Sequence, residues 1–432
     1  MFMKKVLIVA YYWPPSGGSG VQRWVKFVKY LQDEGWTPVV YTPENPEYTA
    51  VDKTLEAEVP ANVEVIRRPI LEPYNLYRGI FGKKASSAVT EISGGRKTWK
   101  QKLSLWIRGN LFVPDPRVSW VRPSVRFLKK YLKEHPVDVL VTTGPPQSMH
   151  LIGLKLHRQL GIPWVPDFRD PWTKMYYLHY LPLTPCTWRR LHRMEQQTLD
   201  QCSTVLSVTP LVQEDFQTRT QTPVAMIPNG YDAEDFAGEA TPADGHFNLT
   251  HTGLLARDGN PFQLWKVLGE MVAADADLRR ELRLRLAGKV DREVLEAIRA
   301  AGLEENVVNL GYCDHAAAVR EQRSASVLLL PLRNDPLYRM ILPGKLFEYL
   351  AARRPVLGIG QSDGAMARVL QDTQAGVTAD WENPACMRQF LETAWKQHLA
   401  GGVPATTGPV ERYERRALTH ELAQLLEQIT KQ

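Results

Sequence analysis

The sequence predicts an α/β protein of two doubly wound, Rossmann-like domains. Three observations predict it. Short apolar runs alternate with amphipathic stretches along the whole chain. A polar stretch, Asp232 to Gly245, interrupts this alternation, which then restarts. Each half opens in the same way, with a strand-sized apolar run feeding a glycine-bearing loop. Parallel strands covered by helices on both faces read as continuous apolar runs, and strand–helix–strand units wind right-handed. At 432 residues the chain exceeds one ordinary core. The expected division is an N-terminal domain over 1–228, a C-terminal domain over 229–409 and a terminal helix over 410–432. Ligands of such sheets bind at the carboxyl ends of the strands, so two facing domains predict a site in the cleft between them.

The first half begins with a strand from Lys4 to Ala10 and a loop through Gly17-Gly18-Ser19-Gly20. Val21, Trp24, Val25, Phe27, Val28 and Leu31 recur at helical spacing, closing at Gly35, and Thr37 to Thr42 is a second strand. Val63 to Arg67 reads as a third. Between 70 and 135, apolar and basic residues interleave. Trp99, Leu103, Leu105, Trp106 and Ile107 run among Lys100, Lys102 and Arg108, and Val125, Phe127 and Leu128 among Lys129, Lys130 and Lys133. Amphipathic basic helices of this kind either lie on an anionic membrane or cover a sheet. Strands follow at Val137 to Thr142, Ile162 to Val165, Val205 to Val208 and Val224 to Ile227, with helices at Met149 to Leu160 and Trp188 to Cys202 and one ending near Thr218. Asp167-Phe168-Arg169-Asp170-Pro171-Trp172 reads as a polar loop after a strand, the kind of segment that carries function.

In the second half, strands are expected at Phe247 to Thr252, Leu282 to Ala287, Val307 to Leu310, Val327 to Pro331 and Val356 to Gly360. Helices are expected at Pro261 to Ala273, Asp291 to Ala301, Ala316 to Ala325, Ala365 to Leu370 and Cys386 to His398. Val410 to Ile429 reads as one long helix.

Composition excludes several classes. No apolar run approaches the ~18 residues of a membrane span, and the start MFMKKVLIVAYYWPP lacks a signal-peptide pattern. Four dispersed cysteines with no Cys-x-x-Cys suggest reduced thiols in a cytoplasmic protein, and no His or Asp pattern suggests a metal site. The charge is uneven. Residues 1–228 hold 30 basic and 19 acidic side chains, and residues 229–432 hold 23 and 28. The basic half suits an anionic partner, which makes an anionic membrane surface an expected partner and the inner membrane face an expected location.

The densest chemistry lies in Leu337 to Pro355. Pro343-Gly344-Lys345 opens a helix, where free N–H groups and the positive dipole end suit a phosphate and Lys345 adds a full charge. Glu348, one turn on, suits ribose hydroxyls. Arg257, in the loop after the first strand of this half, suits a diphosphate. In the first half, His150 and Asp170 are candidates for binding an acceptor or moving a proton. Gly17 and Gly18 permit close backbone approach to a phosphate, but the pattern is a poor dinucleotide fingerprint, with Arg23 where a third glycine belongs.

With these residues together, the chain resembles the GT-B glycosyltransferases of family 4 over residues 4 to about 430. The matching blocks are Trp13-Pro14-Pro15 with Gly17-Gly18, Ile227 to Asp232, Gly253 with Arg257, Leu286-Ala287-Gly288, Asn309 to Tyr312, and Pro343 to Ala351 with Pro355-Val356. The resemblance implies retaining transfer of a sugar from a nucleotide-diphospho-sugar, a UDP-sugar foremost, without metal or other cofactor. It implies that Arg257, Lys345 and the helix start at Leu342, Pro343 and Gly344 hold the diphosphate, with Gly17, Gly18 and Gly253 close to it. Glu348 would hold the ribose, Tyr312 would frame the base, and the terminal helix would cross back to the first domain. The acceptor would be a glycan, a lipid-linked species or a small molecule, with no role for nucleic acid. One departure stands out: the first glutamate of the family's pair falls at Met340, leaving backbone, Asp335 or Arg339 for the donor sugar. Two other readings fit these residues, a non-catalytic nucleotide-sugar-binding protein and a GT-B nucleotide-sugar epimerase.

Overall fold

The computed structural model describes residues 3–48, 51–72, 99–238, 244–402 and 406–431. The chain forms two compact units, Met1–Pro228 with Leu418–Gln432, and Asn229–Ala417. Each is an α/β unit around one parallel sheet.

The first sheet has seven strands: β1 (Lys4–Val9), β2 (Trp36–Pro43), β3 (Glu64–Arg68), β4 (Val139–Gly144), β5 (Trp164–Phe168), β6 (Val205–Ser207) and β7 (Val224–Met226). Their order is β3-β2-β1-β4-β5-β6-β7 and all neighbours are parallel. The helices are α1 (Ser19–Leu31), α2 (Trp99–Asn110), α3 (Val118–Glu134), α4 (Ser148–Leu160), α5 (Pro185–Gln201) and α6 (Pro210–Gln217). Val6, Ile8, Val139, Val141 and Val165 of the strands pack with Trp24, Val25 and Val28 of α1. The basic residues of α3 face solvent while Trp120, Val121, Val125, Leu128 and Leu132 are buried.

The second sheet has six parallel strands: β8 (Phe247–Thr252), β9 (Leu282–Ala287), β10 (Val307–Gly311), β11 (Val327–Pro331), β12 (Val356–Ile359) and β13 (Gly376–Ala379), in the order β10-β9-β8-β11-β12-β13. Its helices are α7 (Phe262–Ala274), α8 (Ala276–Glu281), α9 (Arg292–Ala300), α10 (His315–Ser324), α11 (Gly344–Ala351), α12 (Ala365–Asp372) and α13 (Pro384–Leu399). The last helix, α14 (Arg415–Thr430), places Leu418, Leu422, Ala423, Leu426 and Ile429 in the core of the first unit.

Both strand orders reverse once, between β1 and β4 and between β8 and β11. That is where doubly wound sheets open a crevice at their carboxyl ends. Three expectations are corrected. Asp167 and Phe168 belong to β5 rather than to a loop. Gly376–Ala379, absent from the expected strands, is an edge strand paired with β12. The expected single helix from Val410 is a 3-10 turn, Glu411–Tyr413, followed by α14. The break is fixed where the Tyr231 N–H donates to the Tyr413 carbonyl and the Arg415 N–H to the Tyr231 carbonyl.

Candidate active site

In the second unit, β8 delivers the chain to Gly253 at φ +107°, backbone that favours glycine. The Lys345 side chain crosses directly over the Gly253 Cα, so that a Cβ there would overlap its Cε and Nζ. Gly253 N–H donates to the Ala287 carbonyl at 2.6 Å and Gly288 N–H to the Gly311 carbonyl at 2.6 Å. The ends of β8, β9 and β10 are thereby tied edge to edge beneath the lysine.

Lys345 stands in the first turn of α11. Pro343 is the N-cap, and no side chain caps this helix. Leu346, Phe347, Tyr349 and Leu350 are buried and hold the helix in place. The Tyr349 hydroxyl accepts from the Thr252 N–H at 3.0 Å, which fixes the helix to the end of β8. Burial pushes that phenol up to about 12, so it stays protonated.

Glu348 is half-buried and accepts from Gln322 Nε2 at 2.8 Å. The same nitrogen donates to Thr252 Oγ1 at 3.1 Å. Gln322 on α10 thus orients the carboxylate from behind. Its Oε1 is buried without a partner among the described residues. On β8 below, His251 is fully buried and its Nδ1 donates to the Leu329 carbonyl at 3.0 Å. Burial first, and then the nearby Lys345 charge, pull its pKa down to about 4. A neutral imidazole therefore lies beside the lysine at neutral pH.

The structure brings Gly253, Lys345 and Glu348 together and sets Leu342, Pro343 and Gly344 at the same helix start. Arg257 faces solvent. It sits on a 3-10 turn, Arg257–Gly259, with a side chain 75% exposed and 3.7 Å from Glu293 of α9. Tyr312 follows β10 and is 93% exposed. Met340 ends a 3-10 turn, Pro336–Met340. The two expected substitutes there are committed elsewhere: Asp335 accepts from the Leu337 N–H and Arg339 pairs with Asp363 at 2.8 Å.

In the first unit, Gly18 has φ +108° and caps α1 with no side-chain bond. Gly17 is half-buried beside it. The Arg169 guanidinium lies against Gly20 in the first turn of α1 and donates to the Pro145 carbonyl at 2.6 Å. Burial lowers the Arg169 pKa and raises that of Asp170, whose carboxylate Arg169 offsets in part. Gly17, Gly18, Arg169 and Asp170 thus gather at the carboxyl ends of β1, β4 and β5. His150 is in the core instead. It is fully buried, its ring lies 4.6 Å from that of Phe168 at a tilt of 31°, and its Nδ1 is 2.9 Å from Thr142 Oγ1. Burial pulls its pKa down to about 3, so the ring is neutral at neutral pH. Asp167 likewise serves the frame. Its carboxylate accepts from Arg23, Thr143 and Trp24, the last at 2.6 Å, and Arg23 also donates to the Ile227 and Pro228 carbonyls. A buried ion pair with both carboxylate oxygens hydrogen-bonded is tolerable where a bare charge is not.

Gln322 is not among the residues that the sequence singles out, and Arg169 enters there only as part of the Asp167 to Trp172 segment. Gln322 follows Val319 by three on the buried side of α10, a spacing that marks burial and not a hydrogen-bond partner.

A sequence profile described as Glycosyltransferase Family 4 matches residues 94–235, and one described as Glycosyl transferases group 1 matches residues 251–397. The chain belongs to the glycosyltransferases of family 4, group 1. Solved structures agree on the GT-B fold. Sucrose-phosphate synthase from Thermosynechococcus elongatus is 14% identical with a TM-score of 0.61, covering 98% of each chain. WaaG, a glycosyltransferase involved in lipopolysaccharide biosynthesis, is 16% identical with a TM-score of 0.53, covering 99% of this chain and 98% of its own. HepE from Anabaena, in complex with UDP-glucose, is 13% identical with a TM-score of 0.53, covering 99% of this chain and 97% of its own. No curated protein matches the sequence.

Proposed function

We propose that this glycosyltransferase moves a sugar, with retention of configuration, from a nucleotide-diphospho-sugar to a glycan, lipid-linked or small-molecule acceptor. The observation that carries the reading is Lys345 lying across Gly253 at the uncapped start of α11, with Glu348 one turn along. As the bond from the anomeric carbon to the leaving oxygen breaks, the diphosphate takes the electron pair. Positive charge aimed at it stabilises the transition state more than the ground state. Lys345 and the N–H groups of the first turn supply that charge at a place with no competing carboxylate cap, so the reading needs no metal. Glu348, oriented by Gln322, is placed to accept from paired ribose hydroxyls. Neutral His251 leaves the lysine as the charged group at this point of the site.

UDP is the favoured carrier, and the solved complex of HepE with UDP-glucose lends support. The basic first half favours an anionic acceptor, such as a lipid phosphate at the inner face of a membrane. Non-catalytic sugar-nucleotide binding has Met340 in its favour, and turnover with any donor removes it.

A thermal-shift screen with UDP, GDP, ADP and dTDP tests the reading. A ligand at ~100 times its dissociation constant stabilises by about 2.7 kcal/mol, a rise of a few degrees. One nucleotide is expected to give that shift and Lys345→Ala to abolish it. No shift with any of the four contradicts the reading.

A further inference from the structure

Helix α2 departs from the usual packing of a covering helix. It exposes Trp99 by 69%, Leu103 by 41% and Trp106 by 41%, and Leu111 just beyond it by 61%. Leu103, Leu105, Trp106, Leu181 and Pro182, with Lys102, line a groove of about 600 Å³. The two walls are fastened together. Asn110 donates to the Pro182 carbonyl at 2.9 Å and accepts from the Thr184 N–H at 2.8 Å, and Gly109 packs against Leu181 and Leu183. From Tyr180 the aromatic surface continues through His179, Trp188 and His192, whose rings lie 5.6 and 5.8 Å apart in turn.

Charge on these two segments is of one sign. Neither Trp99 to Pro114 nor Met175 to Met194 contains an Asp or Glu. Between them they hold Lys100, Lys102, Arg108, Arg189, Arg190 and Arg193. Among the described residues no carboxylate pairs with Lys102, Arg190 or Arg193, and all three are exposed. Helix α3 supplies the contrast. It too is basic, but its long apolar residues all turn inward, so Lys129 and Lys130 stand on an ordinary solvated face.

We propose that the α2 face, with the Met175 to Met194 segment beside it, docks the protein on an anionic lipid surface. Trp and Tyr settle at headgroup level, where one end of the ring is wet and the other apolar. Lys and Arg close to an anionic leaflet each add attraction, which salt screens. A protein partner fits less well, because lysine is depleted at protein interfaces whereas here Lys100 and Lys102 stand among Trp99, Leu103 and Trp106. Among the described residues no helix is long and apolar enough to cross a membrane, so the attachment proposed is to a surface. The inference is independent of which sugar is transferred or whether transfer occurs.

Sedimentation of the full chain with phosphatidylcholine vesicles, with and without phosphatidylglycerol, tests it. Binding is expected only with phosphatidylglycerol and is expected to weaken with salt. Trp99→Ser with Trp106→Ser, and separately Lys102→Glu with Arg190→Glu, are each expected to lower the partition coefficient roughly tenfold. Lys129→Glu with Lys130→Glu is expected to bind like the parent. Brominated phosphatidylglycerol is expected to quench tryptophan emission in the parent and less in the double Trp variant. Far-UV circular dichroism and the melting of the first unit should equal those of the parent in every variant, which separates lost docking from lost folding. Absence of binding to anionic vesicles overturns the proposal. So does binding lost only in the α3 variant, or a dimer in solution that Trp106→Ser dissolves.

Discussion

Lys345 and Gly253 act as one unit. Gly253→Ala would place a methyl where the lysine side chain runs, at a φ that disfavours any side chain. The lysine must then leave its position. Nucleotide affinity is expected to fall at least roughly tenfold, with a stability loss of about 1–3 kcal/mol, read by calorimetry and by urea unfolding. Gln322→Leu should weaken nucleotide binding less than Lys345→Ala, since it frees Glu348 to turn rather than removing a charge. Residues of this kind differ in legibility. Lys345 was readable because Pro-Gly-Lys announces a helix start. Gln322 was not, because one glutamine on a helix says nothing until the carboxylate it holds is known. Asp167 misled for the opposite reason. Its charge suggested a loop, whereas Arg23, Trp24 and Thr143 satisfy it inside the sheet. For His150, the position after a strand was legible and the burial was not.

That burial makes a pH prediction at the same scale. His150 titrates near 3 when folded and near 6.5 when unfolded. Its folded pKa is the lower, so the unfolded chain binds the extra proton, and stability is lost as pH falls below about 6.5. The loss from this group is about 2 kcal/mol between pH 7 and 5. Asp115 and Asp170 have raised pKa values and shift stability the other way on acidification. The check is therefore the difference in urea midpoints between parent and His150→Gln, which should show a flatter acid branch for the variant. An equal acid branch in both would contradict a buried neutral His150.

Among the elements, α14 carries the clearest energetic prediction. Leu422 and Leu426 are fully buried in the first unit. Leu422→Ala is expected to destabilise by about 2–5 kcal/mol, the usual range for a core cavity, read as a lowered urea midpoint. The apolar period of α14 was visible in the sequence, and so were most strands, because buried parallel strands are unbroken apolar runs. Short elements were less visible. β13 spans four residues and includes Gly376, with too little pattern to distinguish it from a turn. The break before α14 depends on backbone pairing with Tyr231, nearly two hundred positions away, which no local pattern encodes.

For the whole molecule, the two units have separate cores, and the last segment of the chain belongs to the first of them. Deleting 418–432 should therefore lower the melting temperature of the first unit and spare the second, visible as two resolved calorimetric transitions in place of a closer pair. The fold was legible because it repeats one simple grammar twice. In the second unit the helix start at Lys345 was legible because helix starts and lysines carry their chemistry locally. In the first unit the packing of Arg169 against the start of α1 was not, since no local pattern encodes it. The central claim is that Lys345 at the start of α11 holds a diphosphate. Calorimetric titration with UDP, UMP and uridine, on the parent and on Lys345→Ala, tests it most directly. The account predicts tight binding of UDP over UMP and uridine by the parent, and loss of that preference in the variant. Equal affinity of both proteins for UDP would contradict it.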